Sequence, residues 1–273
     1  MKLNNANFNI KYPLIMGICN ITTDSFSDGG LNYKKTDALK NIKIMVKNGA
    51  KIIDIGAEST RPGSDPISYN EEIKKISPII KSLPKNDFMI SIDSNKIETQ
   101  EFALKNGAHI INDIFAGSEE LFRLTKKYQN GLVLMHTPAP PRIMQKKTTD
   151  YTNVVKDIKN IFLKKINMID KFNISHKKIW FDPGIGFGKN LVQNLEILKK
   201  IEEFKLKKCG VLIGTSRKSW IKSIDKSSVD KRIGGSLASV IYCLNKGVNI
   251  FRVHDVHETH QAIKVYNQIE CLK

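Results

Sequence analysis

A single-domain α/β fold, the (β/α)8 TIM barrel, spanning residues 1–273, is what this sequence predicts, on three observations. Short apolar runs rich in Ile and Val recur eight times, with helix-patterned segments between them, which is the signature of repeated βα units around a parallel sheet. The length of 273 residues suits one barrel. No low-complexity linker divides the chain.

Taken in order, the first strand, Leu14 to Ile18, runs past Asn20 into the polar stretch Thr22 to Gly30, T-T-D-S-F-S-D-G-G, which exposes Phe26 and Asp28. Loops this long without structure of their own tend to be lids or binding segments, although Asp28-Gly29-Gly30 also reads as an ordinary turn tip. A helix over Lys35 to Lys47 stops at Gly49. The second strand, Ile52 to Ile55, carries Asp54 and opens onto G-A-E-S-T-R-P-G, with Glu58, Thr60, Arg61 and Pro62, before a helix over Glu71 to Leu83. Strand three, Met89 to Ile92, delivers Asp93 ahead of a helix over Ile97 to Lys105 that stops at Gly107. Strand four, Ile110 to Ile111, delivers Asn112 and Asp113, and its helix covers Leu121 to Tyr128. Strand five, Leu132 to Met135, ends on Met135 and His136 ahead of the helix Val154 to Phe172. Strand six, Ile179 to Phe181, ends on Asp182, with a helix over Leu191 to Ile201. Strand seven, Val211 to Ile213, delivers Ser216, Arg217, Lys218 and Ser219, and the helix Ile233 to Asn245 stops at Gly247. Strand eight, Ile250 to Val253, delivers Arg252, His254 and Asp255 before the helix His257 to Ile269.

Active sites of such barrels lie where strands end and βα loops begin, and here every strand end carries a polar or ionisable group. Any one strand-end Asp is as often the N-cap of the next helix; eight in register are harder to read that way. Alternation puts His254 on the same strand face as Arg252. His136 has no such partner and reads as structural. In W-F-D-P-G-I-G-F-G-K-N, Trp180 to Asn190, the alternating glycines suggest a phosphate loop, but the spacing fails: Pro183 sits where that loop needs glycine and Asn190 where it needs Ser or Thr. A strand-terminal aspartate, Asp182, in a glycine-rich turn is what remains.

The bulk numbers exclude several classes. Hydrophobic residues make up 41% and charged residues 26%, as in a globular protein, and no apolar run approaches the roughly 18 residues of a membrane span. The N-terminal stretch has no apolar signal core, so cytoplasmic residence is expected. Cys19, Cys209, Cys243 and Cys271 lie far apart, which argues against a disulfide framework or a cysteine zinc site. A net charge of +17 raises nucleic-acid binding, yet only six of the 44 basic residues are arginine (Arg61, Arg123, Arg142, Arg217, Arg232 and Arg252) and the lysines are spread along helical segments. A solvated lysine surface is the better reading.

The strand-end groups form two sets. Asp93, Asn112, Asp182 and Lys218 suit a planar heterocycle with an amino-pyrimidinone edge, since a carboxylate accepts two parallel N–H donors. Arg61, Arg252 and His254 suit a phosphorylated group. Asn20, with Asp28 near it, suits Mg²⁺, which keeps most of its waters and needs few protein ligands. No Ser-His-Asp order or histidine cluster favours a hydrolase or a zinc enzyme.

M-G-I-C-N-I-T-T-D-S-F-S-D-G-G, D-I-G-A-E-S-T-R-P-G, S-I-D-S with N-G-A-H-I-I-N-D-I, V-L-M-H, F-D-P-G-I-G-F-G-K, G-T-S-R-K-S, and G-G-S-L-A-S with R-V-H-D-V resemble, in order, the blocks of the dihydropteroate synthase family. The resemblance runs from about Pro13 to Val265. It implies a TIM barrel that joins p-aminobenzoate to a (7,8-dihydropterin-6-yl)methyl diphosphate and releases diphosphate. It further implies that Asp93, Asn112, Asp182 and Lys218 hold the pterin, with Met135 and Phe187 lining the pocket. Thr60 and Arg61 would lie near the diphosphate and the second substrate. Asn20 would bind Mg²⁺, Arg252 and His254 would grip the diphosphate, and Ser219 would meet the p-aminobenzoate carboxylate. Phe26 and Pro62 would close over the aryl ring, and two copies of the chain would pair as a homodimer through helices away from the site. Thr23 departs from the family's proline, Thr137 to Pro140 from its usual M-Q-G-T, and Phe115 and Ala116 from smaller residues; none removes a carried-over ligand. Two rivals remain: a pterin-barrel methyltransferase, which has no use for Arg61, Arg252 and the S-R-K-S block as a diphosphate grip, and a lysine-rich RNA-binding protein, which gives no reason for acidic strand ends.

Overall fold

The computed structural model describes residues 1–21, 31–58, 64–84, 86–148 and 151–272. Its chain opens with an antiparallel hairpin, β1 (Lys2–Leu3) and β2 (Ala6–Asn7), and continues through β3 (Leu14–Asn20), α1 (Leu31–Lys47), β4 (Ile52–Gly56), α2 (Tyr69–Ile80), β5 (Met89–Asp93), α3 (Ile97–Lys105), β6 (Ile110–Asp113) and α4 (Glu119–Tyr128). It then runs β7 (Gly131–Met135), α5 (Val154–Lys171), β8 (Ile179–Asp182), α6 (Leu191–Lys199), β9 (Gly210–Ile213), α7 (Ser219–Asp225), α8 (Ile233–Asn245), β10 (Ile250–Val253) and α9 (Val256–Glu270). The eight strands from β3 to β10 pair in parallel in sequence order, and β10 closes on β3 with Ile250 opposite Leu14. The expected eight-stranded barrel is thus observed, and Gly49, Gly107 and Gly247 end their helices with positive φ, as helix stops require.

Strand alternation explains both the core and the site. Ile15, Ile53, Ile55, Ile90, Ile92, Phe181, Val211 and Phe251 face outward and are buried under the helices. The opposite faces supply a second buried layer at the barrel base, formed by Leu14, Met16, Ile52, Met89, Ile110, Val133, Trp180, Leu212 and Ile250. Burial on both faces is why the strands read as continuous apolar runs. Two positions further along the inward face stand Asp54, Ser91, Asn112, Met135, Asp182, Gly214 and Arg252, with Asp93 one step above Ser91. Apolar side chains fill the base of the barrel, and polar ones line its top.

The hairpin plugs the base. Asn4 and Asn5 turn it with φ of 42° and 61°, a conformation Asn tolerates. Leu3 is fully buried within the base layer, and the Asn4 Nδ2 donates to the carbonyls of Leu104 at 2.9 Å and Ala108 at 2.6 Å. Two-residue strands carry no alternation, so periodicity gives no sign of them. Leu3→Ala is expected to lower unfolding free energy by about 2 to 5 kcal/mol in chemical denaturation without changing catalysis; an unchanged midpoint would show the plug is dispensable.

Candidate active site

At the top of the barrel a small open cavity is lined by Asp93, Asn112, Ile114, Met135, Asp182, Ile185, Phe187, Gly214, Lys218 and Arg252. Larger grooves run along the outer faces of α9 and of α6 to α8, but they lack converging charges. The cavity gathers all of Asp93, Asn112, Met135, Asp182, Phe187, Lys218 and Arg252 from six strand ends.

Asp54 organises its floor. Fully buried, it accepts from Ser91 Oγ at 2.6 Å, Asn112 Nδ2 at 3.0 Å and Arg252 Nε at 2.7 Å. Arg252 also donates through Nη2 to Asp93 Oδ2 at 2.7 Å. Two of its donors therefore belong to the floor, and it sits in the same cavity as the heterocycle-binding set rather than apart with a phosphate-binding set. Burial would lower its pKa, yet Asp54 and Asp93 raise it above the ordinary value. Asp93 is pushed up to about 7 by burial, against the pull of Arg252 and with the push of Asp54. Asn112 spends its amide N–H on Asp54 and keeps its carbonyl for the cavity.

The turn after β8 is built differently from a phosphate loop. Asp182 Oδ1 accepts from Gly184 N at 2.8 Å, Asn194 Oδ1 from Gly186 N at 2.7 Å, and the Gly184 carbonyl from Phe187 N at 3.1 Å. Those N–H groups have no vacancy for an anion. Lys189 is buried and points back into its own turn, where Nζ donates to the carbonyls of Gly184 at 2.9 Å and Phe187 at 2.8 Å and lies 3.2 Å from His136 Nδ1. Burial pushes Lys189 down to about 7, and burial followed by the Lys189 charge pushes His136 down to about 3. The glycines serve this packing. A Cβ on Gly184 would meet the His136 carbonyl, and one on Gly188, whose φ is 57°, would meet the Pro138 ring and lie 2.8 Å from the Met144 carbonyl. Of the three turn glycines, Gly186 is the one beside a cavity side chain, its missing Cβ 3.1 Å from Lys218 Cδ. Gly188→Ala should cost about 2 to 4 kcal/mol of stability, from the left-handed backbone and overpacking together. Thermal melts at equal concentration check this; a shift below 1 °C would contradict it.

Lys218 crosses the cavity with Nζ 4.2 Å from the Phe187 ring centroid. Burial pushes it down to about 8, while Asp182 pulls it upward and Arg252 adds to the lowering. Burial also raises the pKa of Asp182, opposed by the Gly184 N–H and by Lys218. The turn that presents Lys218 is locked from outside. Arg217 adopts φ of 57°, its Nε donates to Asp255 Oδ2 at 3.0 Å, its N–H to Ser236 Oγ at 2.9 Å, and Arg232 Nη1 donates to its carbonyl at 3.0 Å. Such strain persists where surroundings over-determine it. Ser219 is the exposed first residue of α7, and His254 stands exposed beyond β10, its Nδ1 3.1 Å from Ser216 Oγ.

Asn20 ends β3 at the rim. Its Oδ1 and Asp93 Oδ2 lie 3.7 Å and 3.6 Å from the point a Cβ on Gly56 would occupy, so two oxygen donors converge over a glycine. Phe26, Asp28, Thr60, Arg61 and Pro62 lie outside the described residues, as does Thr23. The base of the segment carrying Thr60 to Pro62 is described: Glu58 Oε2 accepts from Ile67 N at 3.0 Å and pairs with Lys96. Sequence reasoning passed over three contributors: Asp54 had a signal, a lone carboxylate within a fully apolar strand, whereas Lys189 and Ser216 act through contacts that spacing does not reveal.

Residues 16–254 match the family model for pterin binding enzymes. A dihydropteroate synthase of Clostridium beijerinckii is 40% identical over 270 residues, covering 97% of this chain and 97% of its own. Among solved structures, the Yersinia pestis dihydropteroate synthase with a sulfonamide drug superposes with a TM-score of 0.90 at 33% identity, covering 99% of this chain and 98% of that one. The Xanthomonas albilineans dihydropteroate synthase in complex with 7,8-dihydropteroate gives 0.85 at 28% identity, covering 97% of each chain.

Proposed function

The chain belongs to the pterin-binding enzyme family, among its dihydropteroate synthases, and on that premise we propose that the barrel mouth joins p-aminobenzoate to (7,8-dihydropterin-6-yl)methyl diphosphate, giving 7,8-dihydropteroate and diphosphate. It is a transferase of folate biosynthesis. The observation that carries the reading is the convergence of Asp93, Asn112, Asp182, Lys218 and Arg252, with Met135 and Phe187, on one cavity.

In this reading Asp182 accepts the parallel N–H donors of the aminopyrimidinone edge, and the Asn112 carbonyl and Asp93 take further ring donors. Lys218, stacked on Phe187, donates to the ring carbonyl. The C–O bond to diphosphate breaks first, and the electron-rich dihydropterin spreads the positive charge left at its methylene carbon. The aniline nitrogen attacks that carbon and then loses a proton. Because the amine is unprotonated at neutral pH, no strong base is needed. His254 and Arg61 donate to the departing oxyanion, and the three Arg252 N–H groups not spent on Asp54 and Asp93 are left to join them. Ser219 meets the p-aminobenzoate carboxylate at the rim; the family resemblance assigns Thr60 to the neighbourhood of both substrates and Phe26 and Pro62 to a cover over the aryl ring, which would exclude water that captures the cation.

Mg²⁺ fits this chain: Asn20 Oδ1 is a neutral oxygen at the rim beside Asp93, and a hydrated ion that binds substrate phosphates needs little more from the protein. When bound it would neutralise charge on the diphosphate oxygens. We further place two copies of the chain in a homodimer through the outer groove of α6 to α8, where Leu195, Ile224 and Tyr242 expose apolar surface; sedimentation at assay concentration tests this. Cytoplasmic residence completes the reading, and no helix among the described residues is long and apolar enough to cross a membrane.

Diphosphate release by purified protein that requires both substrates is the decisive assay. No release with both substrates present, or steady turnover that p-aminobenzoate does not accelerate, would refute the reading. Its pH dependence follows from Lys218: the donor is the protonated form, which is lost as pH rises through about 8. Pterin dissociation constants should therefore rise by up to roughly tenfold per pH unit above that point. Titration of native protein and Lys218→Met between pH 7 and 9.5 checks this, the variant showing weaker and flatter binding.

A further inference from the structure

We propose that Ser216 is a positioning residue for His254: its hydroxyl donates to Nδ1 and thereby holds the imidazole in the tautomer that carries its proton on Nε2, the nitrogen left free to donate to an anion. The role of that nitrogen toward diphosphate rests on the reading above; the tautomer does not.

Ser216 is 5% exposed, at the start of the turn after β9. Its Oγ accepts the backbone N–H of His254 at 3.2 Å and lies 3.1 Å from the Nδ1 of the same residue. The first contact uses a lone pair of the oxygen and leaves its proton to place. A buried hydroxyl proton needs an acceptor, and among the described residues Nδ1 is the acceptor within reach. Neutral imidazole has one donor and one acceptor nitrogen, so an accepting Nδ1 puts the proton on Nε2. Both partners are held. Arg217 beside Ser216 is fixed by Asp255, Ser236 and Arg232, and His254 follows the β10 strand that carries Arg252.

The electrostatics favour the neutral ring. Desolvation, then the charges of Arg252 and Arg217, work against the imidazolium, with Asp255 opposing and Lys218 adding to them. A neutral ring in the other tautomer would turn a lone pair toward the oxyanion and repel it. Ser216 thus makes an uncharged histidine into a dedicated donor, and the positive charge at the mouth comes from arginine and lysine.

Long-range proton–nitrogen correlation spectra of ¹⁵N-histidine protein read the tautomer directly, with His254 identified by its loss in His254→Gln. Among the six histidines, the His254 signal is expected to show an unprotonated Nδ1 and a protonated Nε2, and Ser216→Ala to give mixed tautomers. Ser216→Cys, a weaker donor with nearly the same shape, gives a partial change if the alanine variant folds poorly. Ser216→Ala should also weaken inorganic diphosphate binding about five- to tenfold, the loss expected for a charge-assisted hydrogen bond only partly populated. In the His254→Gln background, whose amide supplies a fixed donor, the same substitution should add less than about a twofold change. A protonated Nδ1 in the native protein, or an unaltered tautomer in Ser216→Ala, overturns the inference. The expected tautomer shift with unchanged diphosphate binding would support it and move the diphosphate away from His254, against the functional reading.

Discussion

Asp182→Ala is expected to lower kcat/KM by about a thousandfold or more while the protein stays folded. Two charge-assisted hydrogen bonds to a pterin edge, each contributing on the order of 1.5 to 3 kcal/mol, are lost together, and each 1.4 kcal/mol is a factor of ten. The structural cost is smaller. Asp182 Oδ1 also accepts the Gly184 N–H at 2.8 Å, so about 1 kcal/mol of loop stability goes with it. Removing a desolvated carboxylate, whose pKa burial raises, returns part of that. Asp182→Asn should fall between, since it keeps one acceptor and turns a donor toward a donor. Steady-state kinetics with a thermal melt separate the effects, and near-normal activity in the alanine variant would sink the assignment.

Asp54→Ala is expected to lose stability heavily as well as activity. Asp54 is the common acceptor for Arg252, Asn112 and Ser91, and Arg252 would be left with Asp93 alone. Breaking a buried ion pair from one side typically costs about 3 to 5 kcal/mol. The double variant Asp54→Ala with Arg252→Met should be less destabilised than the sum of the single variants, because it removes the stranded charge. Denaturant unfolding of the four proteins gives the coupling directly. A single-variant loss below 1 kcal/mol, or strict additivity, would show that the floor does not depend on this carboxylate.

How much of this was legible in the sequence depends on the range of the interaction. The barrel and the inward top layer follow from period-two alternation, which needs only local reading: once Met89, Val133 and Ile250 face inward, Asp93, Met135 and Arg252 must lie at or near the mouth. Which group holds which was not legible. Arg252 and Asp54 stand 198 positions apart, and nothing local says that this arginine spends two donors on carboxylates. The alternating glycines of the β8 turn suggested a phosphate loop, which their spacing already ruled out. Gly184 and Gly188 instead admit the protein's own His136, Pro138 and Met144. Lys189, which spacing left without a role, is a buried brace by contact. Helix ends were less legible than helix bodies. α1 starts at Leu31 instead of Lys35, and α2 spans Tyr69–Ile80 because the Ser68–Glu71 capping box sets its start earlier than apolar spacing suggests.

The N-terminal plug has a consequence for the order of assembly during synthesis. Leu3 and the ring of Trp180 share one base layer, and Tyr12 Oη accepts the Trp180 indole N–H at 3.1 Å across 168 positions of chain. Made before Trp180 and β10, this hairpin is therefore among the last segments to find its native neighbours, since β3 also waits for β10 to close the ring. Until then an apolar seam stays open, the kind of surface on which partly made chains associate or are bound by chaperones. The enzyme can have no functional N-terminal half: its mouth, its base and its closing seam are completed together, when the final strand arrives.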